Sequence, residues 1–271
     1  MDPKIRAELS VEGYTVVKGV LGAEEIAEGR RLFFEWYDAN KLAARGVPPH
    51  GIYKFHNVGH TAFSWWNRTH PGVKGVFQNI WGVDDLITSF DGCCFIPEGT
   101  RRSNRGWLHV DQAPNEPGFK CVQGFVAYTS NSETTLAVVP QSHSKFEGYF
   151  RNKHTNRNKR WQRVLDPFET VSVVVDAGDL VLWDSRVFHE NRYGGEERLV
   201  QYVSMLPRAR ASPVELVKRR NYYDDQRTTS HWAVPLEVVG RQPQVYGRKE
   251  LLINYDELVD PGRLWRIMNH D

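Results

Sequence analysis

Between Thr88 and Leu206 the chain breaks into short runs of β-branched and aromatic residues, each stopped by Gly, Pro, Asn or Asp. This rhythm constrains the fold more than any other feature, because such short extended runs satisfy their backbone groups only by pairing with one another. The runs at 88–96, 105–111, 119–129, 135–140, 168–175, 179–184 and 198–206 read as strands, with YTVVKGV at 14–20 as a further short one. Residues 23–44 read as a helix, in which Ile26, Arg30, Phe33, Trp36 and Tyr37 keep an i, i+3, i+4 rhythm and Glu24 and Glu25 sit at the end where the helix dipole favours acid. Residues 73–89 line up Val76, Phe77, Ile80 and Trp81 as a second helix, weakened at Gly82, and the Gly-, Pro-, His- and Asn-rich stretch 46–72 reads as loop. Seven or eight strands behind two helices predict a mainly β fold with flanking helices, a sandwich or barrel with the helices on one side. Nine Trp, eleven Tyr and thirteen Phe are enough to fill its core, and 271 residues suit a single domain, 1–271. Residues 213–225 are a third helical candidate, and 207–271, with Trp232 and Trp265, is expected to cap or wrap the barrel.

Charge and hydropathy exclude several classes. The 35 basic and 33 acidic residues leave a net +2, which weighs against a nucleic-acid partner. No apolar run approaches the roughly 18 residues that span a bilayer. The opening MDPKIRAELS is not a charged-then-apolar leader, and the three cysteines (Cys93, Cys94, Cys121) are few and odd in number. The expectation is a cytoplasmic protein with reduced thiols and no membrane partner.

The chemistry-bearing residues begin with Trp107-Leu108-His109-Val110-Asp111. Alternate residues of a strand share a face, so His109 and Asp111 project together and could supply two adjacent metal ligands. With 10 His and 33 acidic residues, chance alone yields about 1.2 His-x-Asp/Glu pairs, so the pair needs a partner to mean anything. GDLVLWDSRVFHENR at 178–192 supplies one: an apolar strand ends in a turn and His189 follows. Two His and one carboxylate on one side of a metal leave three positions open, which suits non-haem Fe(II) and oxygen. The same set suits Zn²⁺ and hydrolysis. Arg198 opens the next strand, RLVQYVSML, on one face with Val200, Tyr202 and Ser204. A guanidinium pointing inward needs a partner, and a planar carboxylate offers a two-pronged match. That partner is either a neighbouring Asp or Glu, or the distal carboxylate of 2-oxoglutarate.

In this order the residues resemble the phytanoyl-CoA dioxygenase-like family of Fe(II)- and 2-oxoglutarate-dependent oxygenases. EGYTVVKGVLGAEEI is similar to the family's opening strand and first helix. TTLAVVPQSHSK at 134–145 is similar to a segment ending Pro-Gly-Ser-His, with Gln141 for the usual Gly and Ser132-Glu133-Thr134-Thr135 for the usual Asn-Gly turn. The resemblance spans residues 11–206. It implies a double-stranded β-helix, a jelly-roll barrel with His109, Asp111 and His189 holding Fe(II) in its mouth. It also implies Arg198 on 2-oxoglutarate, and O2 as the second cosubstrate. His143 is structural in this reading. Asn191 and Gln123 are further candidates to touch the cosubstrate, a structural hydrogen bond being an equal reading for Gln123. The reaction implied is hydroxylation of an unactivated C–H with release of succinate and CO2, Asp111 filling the position that halogenases of this kind leave to chloride.

The partner is then a small-molecule substrate. Arg102 and Arg105, just before the iron strand, are the candidates for binding a negative charge on it. A surface pairing of both is as strong a reading. The basic run RNKHTNRNKRWQR at 151–163 is read as a solvated insertion in preference to a rim that attracts an anionic substrate, and the tandem Trp of KFHNVGHTAFSWW at 54–66 as core in preference to a pocket wall. The competing readings are the same chemistry on a nucleic acid or protein, a zinc hydrolase, and a binding module that has kept only the barrel.

Overall fold

The structure, a computed structural model, describes residues 3–239. The chain opens with α1 (Pro3–Val11), β1 (Tyr14–Val17) and α2 (Ala23–Ala39), then β2 (Ile52–Tyr53), α3 (Ala62–Thr69) and α4 (Pro71–Trp81). The strand-rich part runs β3 (Leu86–Thr88), β4 (Cys93–Ile96), β5 (His109–Asp111), β6 (Val122–Ala127) and β7 (Leu136–Val138), interrupted by α5 (Ser142–Phe150). It continues with β8 (Trp161–Arg163), β9 (Val171–Ser172), β10 (Leu180–Asp184), β11 (His189–Asn191), β12 (Arg198–Val203) and β13 (Met205–Pro207), and α6 (Pro213–Asp224) follows.

Two antiparallel sheets make the barrel, ordered β1-β10-β6-β12-β4-β2 and β8-β5-β11-β7-β9, with β13 and β3 as a separate pair. The period-2 alternation of the long strands explains the layering. Cys94, Ile96, Phe125, Ala127, Val181, Trp183, Val200 and Tyr202 face inward and pack with Leu136 and Val138 of the smaller sheet. Their neighbours Cys93, Phe95, Val122, Val126, Leu180, Leu182, Leu199 and Val203 face outward, onto Phe33, Trp36, Phe63 and Phe77 of the helices. The larger sheet is therefore buried on both faces, which is why its strands read as nearly continuous apolar runs. On the far side α5 lays Phe146 and Phe150 over Val110 and Phe188. This is the mainly β jelly-roll barrel with flanking helices that the sequence implies.

Local chemistry sets the boundaries, several of which differ from the sequence reading. The second helix starts at Pro71 and stops at Trp81, because Gly82 takes the left-handed conformation (φ 69°) and ends it. Its expected continuation becomes β3. The run 46–72 hides α3, where the Thr61 hydroxyl accepts from the Ser64 N–H at 3.2 Å as a cap. The first helix ends at Ala39 rather than 44. The strands expected at 88–96 and 198–206 each divide in two, and β11, on which His189 lies, went unread because three residues carry no periodicity. The basic run is not wholly a solvated insertion: its end is β8, an edge strand paired with β5. Trp265, with the rest of 240–271, lies outside the described residues. Cys93, Cys94 and Cys121 are all buried free thiols. Among the described residues, no helix is long and apolar enough to cross a membrane.

The two departures from the family pattern have local explanations. Gln141 caps α5 from a left-handed conformation (φ 62°), where glycine carries no Cβ penalty. Gln141→Gly is expected to stabilise the protein by about 0.5–1 kcal/mol, the relieved strain exceeding glycine's greater unfolded-state entropy. A raised denaturation midpoint would show it. A lowered one would mean that the contact of Gln141 with Glu12 outweighs the strain.

The turn 132–135 is held by Glu196, whose carboxylate accepts from the N–H groups of Ser132 (3.1 Å), Glu133 (3.0 Å) and Thr134 (2.9 Å). Partial burial opposes its charge, but these backbone bonds win and lower its pKa to about 2 from 4.5. Its contribution is therefore complete above the unfolded pKa near 4.5 and lost as pH falls toward 2. Glu196→Gln is expected to cost about 1–2 kcal/mol at neutral pH after allowance for solvent exposure, with the difference from wild type vanishing in acid. Urea melts stepped from pH 7 toward pH 2 test this, the difference shrinking below the unfolded pKa. A pH-independent difference would contradict it.

Candidate metal centre and its cavity

β5 and β11 are antiparallel neighbours with His109 directly opposite His189. A cross-strand pair brings side chains close on one face, and the two imidazole centroids lie 4.3 Å apart. Asp111, two residues along the same strand face, completes a buried group. One ligand atom from each of His109, Asp111 and His189 lies within 4.8 Å of the others. The Asp111 Oδ2 is 3.7 Å from His109 Nε2 and 3.3 Å from His189 Nε2. Each histidine turns its Nδ1–H to a backbone carbonyl, that of Trp107 at 2.8 Å for His109 and of Val187 at 2.9 Å for His189. That leaves both Nε2 lone pairs aimed at the shared space, the tautomer a metal needs. Burial and the neighbouring His189 lower the His109 pKa to about 3, so this ring is neutral at pH 7. Burial opposes the charge on Asp111, yet the imidazoles around it hold its carboxyl well below the usual range. A carboxylate and two imidazoles can together hold a divalent cation.

Two further elements grip Asp111. Gln123, on β6, donates from Nε2 to Asp111 Oδ2 at 3.1 Å, so the structure gives it to the carboxylate. From beyond α6, Trp232 donates its Nε1–H to the Asp111 carbonyl at 2.8 Å, and His231 Nε2 lies 3.7 Å from Asp111 Oδ2. The other ring nitrogen of His231 is 2.5 Å from Asp91 Oδ2. Burial disfavours its charge, but Asp91 and Asp111 together outweigh burial and raise the His231 pKa to about 9.

Arg198 points inward from the first residue of β12 and is 1% exposed. It donates to Cys94 Sγ at 3.4 Å and lies 5.1 Å from the centroid of the Phe125 ring. Its Nη2 is buried with no hydrogen bond among the described residues, and no described carboxylate pairs with it. A buried guanidinium in this state is costly, and its free donor can bind an anion. Close by, Asn191 donates from Nδ2 to the Tyr202 hydroxyl at 3.1 Å and 3.8 Å from Cys94 Sγ. The Trp183 Nε1–H is likewise buried and unpartnered.

A cavity of about 400 Å³ beside the triad is walled by Trp107, Trp161, Trp183 and Trp232. His109, Asp111, His189, Asn191, Tyr202, His231, Lys54 and Arg160 also line it. Arg102 and Arg105 do not, and neither Arg198 nor Gln123 is among its lining residues. Arg102 spends its guanidinium on the carbonyls of Val47 (2.7 Å) and Pro48 (3.2 Å), and Arg105 is exposed. The basic residues at the cavity are instead Lys54 and Arg160, the latter paired with Glu237 at 2.8 Å and 4.3 Å from the Trp232 ring. Asp91 and His231 escaped the sequence reading, which placed Trp232 only in a cap, since no motif marks a residue whose only distinction is what it folds against. His143, kept out of the metal set, sits on α5 with Nε2 at 3.0 Å from the Ser10 carbonyl, away from the centre.

The phytanoyl-CoA dioxygenase (PhyH) family profile matches residues 9–192, more than half of the chain. The chain belongs to the phytanoyl-CoA dioxygenase family. With its His-Asp-His group in place, it is an iron- and 2-oxoglutarate-dependent non-haem oxygenase. The zinc-hydrolase and binding-module readings fall away. The match stops short of Arg198 and of the whole 207–239 segment. The chain is 25% identical over 260 residues to the Ava biosynthesis cluster protein O of Aspergillus versicolor, covering 83% of this chain and 84% of that protein. Its fold is similar to that of the hypothetical protein JW0805 from Escherichia coli (TM-score 0.63, 15% identity, 98% of this chain and 82% of that one). It is also similar to the epimerase SnoN, solved in complex with Fe3+, alpha ketoglutarate and nogalamycin RO (TM-score 0.52, 19% identity, 76% of this chain and 83% of that one).

Proposed function

We propose that this family member hydroxylates a C–H bond of a small organic molecule, with His109, Asp111 and His189 as iron ligands and Arg198 as the 2-oxoglutarate anchor. The observation that carries the reading is the pairing of two sites in one barrel. A buried triad offers metal-facing lone pairs, and a buried guanidinium lacks a carboxylate. Iron and 2-oxoglutarate together supply the oxidising power, with succinate and CO2 released. The protein positions and excludes water. His109 and His189 present Nε2 atoms fixed by their Nδ1–H bonds, and Asp111 supplies the charge. Arg198 and the Trp183 indole offer donors to the cosubstrate carboxylate. Trp107, Trp161 and Trp232 give the remaining space apolar walls, suited to a substrate with a flat apolar face. An anionic group on it would meet Lys54, which lines the cavity and forms no ion pair with a described residue.

Incubation with Fe(II), 2-oxoglutarate, 18O2 and a panel of small metabolites tests the proposal. Hydroxylation requires one labelled oxygen in the product and one in succinate, in equal amounts. Succinate with a product that has lost hydrogen and gained no oxygen would keep the oxygenase and remove the hydroxylase.

A further inference from the structure

The segment 228–239 lies beyond the residues matched by the family, yet it builds one wall of the metal centre. It is tied to the turn before β4. Thr229 donates its N–H to the Phe90 carbonyl at 2.8 Å, and its hydroxyl accepts from the Phe90 N–H at 3.0 Å. The Trp232 indole ties the same segment to the Asp111 main chain. His231 is thereby clamped between two carboxylates, Nδ1 against Asp91 and Nε2 toward Asp111.

Asp91 is itself a fixed point. It is buried, its Oδ1 accepts from the Gly92 N–H at 2.8 Å, and its carbonyl accepts from Arg68 Nη2 at 2.6 Å. Gly92 is required there, because a Cβ would collide with the Tyr53 carbonyl oxygen and push the turn away from β2. His231 stands outside the mutual cluster of His109, Asp111 and His189, and its reach toward that cluster is to Asp111. An aspartate ligand can rotate about its last bond and change which oxygen it offers, so the groups that hold it decide the geometry at the metal. Gln123 holds this carboxylate from the larger sheet through a neutral amide.

We infer that His231, held by Asp91, is a positioning residue for the metal centre, orienting the Asp111 carboxylate through the approach of its Nε2 to Oδ2 at 3.7 Å. The inference rests on Asp111 being a metal ligand, as proposed above. It makes the 228–239 segment part of the support of the metal centre.

Titration of the full-length protein with Co(II), followed by its ligand-field absorption, tests the role without turnover. His231→Ala is expected to weaken Co(II) binding by about 10- to 100-fold and to shift the absorption bands, as loss of an outer-shell partner does. His231→Gln, which keeps an amide donor, recovers part of the loss, and Asp91→Asn changes affinity and spectrum in the same direction by less. A side chain that only supports the wall would lower the melting temperature and leave the bands in place. Folded His231→Ala and Asp91→Asn proteins with wild-type affinity and spectrum overturn the inference. If His231→Ala does not fold, His231→Gln and Asp91→Asn decide it by the same criterion. Asp111→Ala separates the two levels. Wild-type Co(II) binding by that variant overturns the ligand assignment and this role with it. Loss of Co(II) there, with wild-type behaviour of the His231 variants, overturns the positioning role alone.

Discussion

Replacing His189 by alanine is expected to abolish 2-oxoglutarate turnover while leaving the barrel folded. Three ligand atoms converge in a buried space, and the alanine removes one whose lone pair is already oriented by the Val187 carbonyl. Loss of an outer-shell partner alone costs about 10–100-fold, so loss of a direct ligand lowers iron affinity and succinate formation by more than about 100-fold. His109→Ala should behave the same way, since the two rings face each other across paired strands. The fold survives because the apolar packing that joins the two sheets is carried by Phe125, Val138, Val181, Trp183 and Val200. Iron stoichiometry, succinate yield and far-UV circular dichroism on the two variants check this. A folded variant that turns over 2-oxoglutarate at the wild-type rate would remove that residue from the metal set.

Arg198→Ala should raise the 2-oxoglutarate dissociation constant by about 10- to 150-fold, the equivalent of a charge-assisted hydrogen bond worth about 1.5–3 kcal/mol. Arg198→Lys recovers only part, because an ammonium cannot make the two-pronged contact. Iron binding changes little, since Arg198 belongs to the other sheet. A second consequence follows from the unpartnered Nη2. Without cosubstrate the guanidinium is a buried charge lacking a counter-charge, so Arg198→Met should melt no lower than wild type. Saturating 2-oxoglutarate at about 100 times its dissociation constant adds about 2.7 kcal/mol to the metal-loaded wild type, and little to the variants. Calorimetric titration and thermal melts with and without 2-oxoglutarate give both numbers. Equal affinity in wild type and Arg198→Ala would move the anchor to another donor, with the Trp183 indole and Lys54 the next to test.

What could be read along the chain was what depends on neighbours in sequence. Alternation of side chains marked the long strands, the Phe33-Trp36-Tyr37 stripe marked the first helix, and the two-residue step put His109 and Asp111 on one face. Those periodicities follow from backbone geometry, which a sequence carries directly. The ends of the elements were less legible, because a single left-handed residue such as Gly82 or a cap such as Thr61 decides them. Distant partners were legible only as candidates, such as His189, and not as contacts. His189 sits opposite His109 only because β11 inserts between β5 and β7, a pairing that no local pattern encodes. Arg102 and Arg105 lie near the metal strand in sequence yet away from the cavity, while Lys54, Arg160 and His231 reach it from 46–72, from the basic run and from the segment after α6. The residue types for iron and 2-oxoglutarate chemistry were thus present in the order of the chain. Which groups hold Asp111, and which cations face the substrate, was decided by long-range strand pairing and by the docking of 228–239, since contacts between residues a hundred positions apart exist only once the sheets close.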